Sequence, residues 1–346
     1  LENPKIKLAV TVNPSNPPSV AFSPVEMKQI VRLIRKNPDL VLVTDDVYGT
    51  FVPNFRSLMA EVPHNTICVY SFSKNFGCTG WRLGVIAIHE KNTMDRRIAE
   101  LPASWKQRLN KRYGAMTMEP EKLKFIDRMV ADSRNVALNH TAGLSLPQQV
   151  QMGFFALSHL LDLKDAYKHL TMEIVRARRD ALWSGLGIPL PPEDPMRGWY
   201  YVELDFMVWA KIMYGDAFCK YMTTNYEPVD FLFRLAEKSG VVLMDGGGFG
   251  GPPWSIRISL ANLDDADYAK IGKYMVECAT EYVEAWKASE LVRSGPTAGK
   301  GQTVRAGAAK RVAKKAAKKV AKTAVKKAVK QADTAAKSAK KATARK

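Results

Sequence analysis

The residues best equipped for chemistry fall in Ser71-Phe72-Ser73-Lys74-Asn75-Phe76-Gly77, with Arg82 eight positions after the lysine in Trp81-Arg82-Leu83-Gly84. The apolar run Thr66–Tyr70 leads into them and reads as a strand, so the lysine stands at a strand exit between hydroxyls and an arginine. An amine in that setting can form a Schiff base with an aldehyde. Ser71, Ser73 and Arg82 can at the same time offer donors to a phosphate on the same molecule. A lone lysine after a strand is more often a solvated loop residue, and its neighbours decide between the two.

Two patches precede it at equal intervals. Asn13-Pro14-Ser15-Asn16-Pro17-Pro18-Ser19 follows the strand-like run Ile6–Val12, and Asp45-Asp46-Val47-Tyr48 follows Leu40–Thr44. From Asn16 to Asp45 is 29 residues, and from Asp45 to Lys74 again 29, close to one strand–helix–strand step. The spacing predicts three strand ends side by side on one edge of a parallel sheet. Between the first two, Ser23-Pro24-Val25-Glu26 predicts a capping box, and Met27, Ile30, Val31 and Ile34 mark one helical face. Taken singly, each patch has a plain reading. Asp45 and Asp46 suit an Asx turn, Tyr48 a half-buried aromatic, and Asn13 and Asn16 turn positions beside proline. Arg257, in Ile256-Arg257-Ile258-Ser259, suits an ion-paired surface residue.

In this order and context the patches resemble the fold-type I pyridoxal-phosphate enzymes of the aspartate aminotransferase superfamily. The signatures are Asn-Pro-x-Asn-Pro, Asp-x-x-Tyr, Ser-x-Ser-Lys with a downstream arginine, and the late Arg-x-Ser. Within it, Tyr70–Arg82 and Asn139–Pro147 are similar to aspartate 4-decarboxylases, bifunctional enzymes that also transaminate aspartate. The resemblance covers residues 1 to about 290 and implies pyridoxal 5'-phosphate as cofactor. It implies that Lys74 binds the cofactor covalently and moves the α-proton, and that Asp45 lies under the ring nitrogen. Tyr48 and Asn16 would meet the phenolic oxygen, Ser71, Ser73 and Arg82 the phosphate, and Arg257 (with Asn16 beside it) the substrate α-carboxylate. Its substrates are amino acids and 2-oxo acids: L-aspartate to L-alanine and carbon dioxide, with transamination as a side route, in a homo-oligomer built from dimers. The alternatives are a plain class I/II aminotransferase or an inactive remnant. The family's N-terminal portion, with its glycine-rich loop and ring-stacking aromatic, has no counterpart before Leu1, which implies a truncated or split enzyme.

The elements follow. Residues 1–163 read as a partial large cofactor-binding domain with a mostly parallel sheet, and 164–290 as an interdomain helix and a smaller α+β domain. Residues 90–139 form a helical insertion broken at Met116–Pro120. Gln148–Leu161 reads as a buried helix, Lys164–Leu186 as a long amphipathic helix ended by Gly187, and Gly198–Leu204 as a strand. A helix over Phe231–Lys238, a strand over Val241–Met244 and a last helix over Asp264–Lys287 complete the body. The run Gly246–Gly251 between strands lets the chain approach a substrate closely.

Residues 291–346 carry 18 Lys and Arg against one acidic residue, a net of +17 out of +18, and leave 34 basic and 33 acidic residues in the body. This Ala/Lys tail predicts disorder, and its charge predicts nonspecific nucleic-acid contact. No apolar run is long enough to cross a bilayer, and no signal peptide is evident. Four scattered cysteines without metal spacing suit reduced thiols and a cytoplasmic setting, and no metal site is expected. Ser71-x-x-Lys74, Ser133-x-Asn135 and Lys238-Ser239-Gly240 imitate the serine β-lactamase motifs. That chemistry needs Ser and Lys at a helix start and the third motif on a strand. Ser71 as a strand end, and Lys238–Gly240 as a helix end, argue against it.

Overall fold

The computed structural model describes residue 3, residues 5–135 and residues 143–294. Asn139–Ala142, part of the stretch that is similar to aspartate 4-decarboxylases, and the tail beyond 294 lie outside the described residues. The strands are β1 (Leu8–Val12), β2 (Val41–Asp45), β3 (Thr66–Ser71), β4 (Gly84–Ile88), β5 (Tyr201–Asp205), β6 (Met244–Asp245) and β7 (Ser255–Ser259). The helices are α1 (Pro24–Lys36), α2 (Leu58–Glu61), α3 (Phe72–Asn75), α4 (Thr93–Ala99), α5 (Ala103–Tyr113) and α6 (Phe125–Asn135). There follow α7 (Leu146–Leu161), α8 (Ala166–Leu186), α9 (Phe206–Tyr214), α10 (Asp216–Asn225), α11 (Pro228–Ser239) and α12 (Asp265–Ser294).

One sheet runs β1-β2-β3-β4. The first three strands are parallel, and β4 pairs antiparallel with β3. The strand–helix–strand spacing thus brings the three patches to adjacent strand ends. Helix α1 makes the step between β1 and β2. Ser23 N donates to Glu26 Oε2 (2.7 Å), Glu26 N donates to Ser23 Oγ (3.3 Å), and Pro24 opens the helix, as its capping box requires. Its face of Met27 and Ile34 joins Leu40, Leu42, Leu58 and Val62 in one apolar cluster under the sheet. A second sheet, β5-β7-β6, is antiparallel and packs Phe206 against Phe231 (4.3 Å between ring centres) and Trp254 (5.8 Å).

The chain groups into two compact units: Leu1–Gly215 with Pro228–Ala279, which holds both sheets, and Asp216–Glu227 with the chain from Thr280. Within the second, Phe218 meets Trp286 (5.8 Å) and Tyr226 meets Tyr282 edge-on (4.9 Å). Within the first, α8 and α12 cross with backbone in contact at Gly185 and Gly272. Gly187, at φ +69°, ends α8 as a left-handed cap.

Three expectations change. Helix α7 forms as predicted but is not buried: Leu146, Val150, Phe154, Leu157 and Leu161 are all exposed among the described residues. Their apolar stripe has no partner there, so composition alone misjudged its burial. Val241 and Val242 precede the strand, because only Met244 and Asp245 find register partners on β7. Ser71 ends β3 and also caps a helical turn, accepting from Ser73 N (3.1 Å), so Ser71 and Lys74 do lie on a helix start. The β-lactamase imitation then fails on its third motif, since Lys238 and Ser239 end α11. Among the described residues no helix is long and apolar enough to cross a membrane. Nor does any group of three or more His, Cys, Asp or Glu there have the arrangement to hold a metal ion.

Candidate functional site

The ends of β1, β2 and β3 are laced together by backbone. Asn13 N donates to Asp45 O and Asp46 N donates to Val69 O, both at 2.9 Å. Asn13 is buried and turns its Oδ1 to Phe22 N (2.8 Å), which folds the Asn-Pro loop back on itself. Strand alternation sends the two aspartates to opposite faces. Asp46 is buried beneath the sheet with the Thr44 hydroxyl (2.6 Å) and Cys68 Sγ (3.4 Å). The Asp45 carboxylate accepts from Val47 N (3.1 Å), the Asx turn anticipated for it, and among the described residues no other donor meets that carboxylate. Burial raises the Asp45 pKa, Asp46 adds to this, and the Lys74 ammonium opposes it. A carboxylate so placed gains from a cationic partner.

Lys74 rides on α3 and is half-buried, its Nζ 5.7 Å from the centre of the Tyr200 ring. Tyr200 in turn meets Tyr48 (5.4 Å), Tyr48 meets Tyr201 (5.5 Å), and the Arg257 guanidinium lies 4.5 Å from the Tyr201 ring. Arg257 is covered on the other side by Phe249 (4.2 Å) and donates to Asn16 Oδ1 (3.2 Å). Among the described residues no carboxylate pairs with it, so the surface ion-pair reading fails. Burial, with Tyr201 as hydrogen-bond partner, raises the Tyr48 pKa and keeps its hydroxyl protonated. Lys74, Tyr48, Asn16 and Arg257 therefore belong to one run of contacts, and the Asp45 charge acts on Lys74 and Tyr48 beside it.

The Ser71 and Ser73 hydroxyls lie 2.7 Å apart, with Ser71 Oγ 3.0 Å from Leu83 O. Arg82 does not join them. At φ +54° it closes a short turn, is exposed, and donates to Thr79 O (3.0 Å). Tyr200 and Tyr201 went unrecognised in the sequence, where they read as ordinary strand residues. Both reach Tyr48 just after Trp199, whose backbone is left-handed (φ +56°), and no local pattern in the sequence marks this.

The donor set suits a phosphorylated aldehyde with a basic ring. It combines a half-buried amine, a half-buried carboxylate, a protonated phenol, paired hydroxyls and a guanidinium that meets no carboxylate among the described residues.

The family model for class I and II aminotransferases matches residues 1–273, and the chain belongs to that family. Members depend on pyridoxal 5'-phosphate. Among curated relatives, a bifunctional aspartate aminotransferase and L-aspartate beta-decarboxylase from a Pseudomonas species is 47% identical over 289 residues, 83% of this chain and 54% of that protein. An aspartate aminotransferase from Sulfurisphaera tokodaii is 32% identical over 106 residues, 30% of this chain and 26% of its own length. The chain thus spans about half the length of the bifunctional relative. Among solved structures, a Thermus thermophilus aspartate aminotransferase double mutant superposes with TM-score 0.55 at 21% identity, over 80% of this chain and 58% of that one. N-Succinyldiaminopimelate aminotransferase from Mycobacterium tuberculosis gives 0.53 at 22% identity, over 80% and 59%. These likenesses fix the fold as that of the fold-type I aminotransferases.

Proposed function

We propose that this chain supplies the lysine-bearing site of an enzyme acting on L-aspartate. The enzyme would release the β-carboxylate as carbon dioxide and leave L-alanine, with amino transfer to a 2-oxo acid as its side route. The observation that carries the reading is the run of contacts from Lys74 through Tyr200, Tyr48 and Tyr201 to Arg257 and Asn16, beside Asp45. The bifunctional relative, which acts on aspartate, suggests the substrate.

Bound pyridoxal phosphate supplies an electron-withdrawing ring for the electrons of the breaking bond. Lys74 would hold the cofactor through its aldehyde and, when its amine is free, accept and return the proton at the substrate Cα. Asp45, as the anion, would hold a proton on the ring nitrogen. Tyr48 and Asn16 would orient the phenolic oxygen. Ser71, Ser73 and Arg82 would donate to the phosphate, the serines in place of their mutual hydrogen bond and Arg82 in place of its bond to Thr79 O. Arg257 forks onto the α-carboxylate, which restores charge balance to a guanidinium held between two rings. When carbon dioxide leaves, its electron pair stays with the remaining three-carbon unit. A proton then completes the methyl group of alanine.

On this reading residues 1–163 bind the cofactor and 164–290 carry the joining helix and the small domain. The working form is a dimer-based assembly of identical subunits in the cytoplasm. Trapping pyridoxal phosphate on the full chain with borohydride, then digestion and mass spectrometry, tests the site: the label belongs on Lys74. Product analysis with L-aspartate tests the reaction, because a keto acid without alanine or carbon dioxide reduces it to a plain aminotransferase. The net +17 of residues 291–346 supports a second reading, an inactive remnant whose tail contacts nucleic acid nonspecifically. Salt-sensitive binding of unrelated DNA sequences, with no label on any lysine, favours that remnant.

A further inference from the structure

The residue after Lys74 is held more tightly than the lysine itself. Asn75, 2% exposed, ends α3, and two other helices reach it. Its Nδ2 lies 2.9 Å from Nε2 of His159 on α7, and its carbonyl accepts the hydroxyl of Tyr167 on α8 at 2.8 Å. Phe76 fills the space between, stacked on Phe155 (4.1 Å) and Tyr167 (5.4 Å) with His159 edge-on at 5.1 Å. At the other end of the turn, Ser71 provides the cap.

A four-residue helix has no stability of its own, so what fixes its ends fixes the lysine between them. Asn75 Oδ1 is buried without a donor. A core residue selected for packing alone would not carry an amide there, since an orphaned acceptor is costly. Turning the amide would only exchange the orphan, leaving Nδ2 unmet. The polar contact to His159 is kept in spite of that cost.

We infer that Asn75, His159 and Tyr167 are positioning residues for Lys74: they clamp the helical turn so that the amine stays over the Tyr200 ring. None of the three acts on substrate. The inference rests on Lys74 being the lysine that takes the cofactor.

The test uses the full chain, with hydrogen exchange across Phe72–Gly77 and the rate of borohydride-trapped pyridoxal at Lys74 as readouts. Tyr167→Phe keeps the ring stack and removes only the hydroxyl. It should speed exchange of the Phe76 and Gly77 amides roughly fivefold to tenfold and slow trapping at Lys74. His159→Ala should do the same more strongly. His159→Gln, whose amide oxygen can accept from Asn75 Nδ2, should recover most of the native behaviour. Unchanged exchange in Tyr167→Phe and His159→Ala overturns the clamp. So does acceleration shared equally by every protected segment, which would signify only lost global stability. Pyridoxal on another lysine of the native chain would overturn the lysine assignment instead, and the exchange result would still decide the clamp.

Discussion

Two glycine-to-alanine changes should move stability in opposite directions. At Gly272 on α12, an added Cβ would lie 2.6 Å from Gly185 C, Leu182 O and Leu186 N of α8. Carbon atoms pack at about 3.5–4.0 Å, so the clash is about 1 Å, and all three atoms are backbone that no rotamer change can move. Overpacking of this kind costs about 1–3 kcal/mol, and backbone on three sides argues for the upper end. Alanine in a helix gains about 1 kcal/mol over glycine. The clash wins, leaving Gly272→Ala destabilised by about 2 kcal/mol, or about 4–8 °C in midpoint for a unit of this size. At Gly153 on α7 an added Cβ meets nothing within 4 Å. There the propensity term stands alone and Gly153→Ala should stabilise by about 0.5–1 kcal/mol. Denaturant unfolding of the full chain, with the slope m unchanged, reads both shifts. A Gly272→Ala midpoint at or above the native one would refute the packing argument.

Cys68 is pushed up to about 12 by burial first and the Asp46 charge second, so near pH 8.5 iodoacetamide should label it about 1,000-fold more slowly than a free cysteine. Asp46→Asn should speed that labelling, and labelling of the native chain at the free-thiol rate would refute it. Arg257→Lys keeps the charge but loses the fork. It should weaken L-aspartate binding by the cofactor-loaded chain at least about tenfold and leave trapping at Lys74 unaltered, and equal affinity would sink the carboxylate role. Because the Asp45 pKa is raised on folding, its ionised form opposes folding, and that penalty grows as pH rises from 3.8 through the folded value. Asp45→Asn should accordingly stabilise the cofactor-free chain at pH 7 but not at pH 3, and weaken cofactor retention. Equal stability at pH 7 would contradict this.

The strand ends were legible because regular spacing leaves the chain few ways to place them. The backbone bond from Asn13 to Asp45 O is the direct outcome. The capping box of α1 was legible for a similar reason, since all its partners lie within four residues. What escaped reading is long-range. Tyr200 and Tyr201 join the site across some 150 residues through a left-handed tryptophan, which no local pattern announces. The exposure of α7 depends on what faces it, and its own periodicity carries no record of that. The serine cap of α3 was missed because Ser71 also ends a strand, and the turn it opens is held at its other end by tertiary contacts of Asn75 and Phe76. The Arg82 side chain hangs on one turn carbonyl, a choice that sequence spacing does not encode.

The contact from Arg257 to Asn16 spans 241 residues, whereas Asn13, Asp45 and the Lys74 turn are joined by steps of about thirty. Long loops close last, because their entropy must be lost before their contacts repay it. In folding time, then, the ends of β1, β2 and β3 come together ahead of the contact that seats Arg257. On the proposed roles, the residue assigned to the substrate carboxylate is among the last to reach its place.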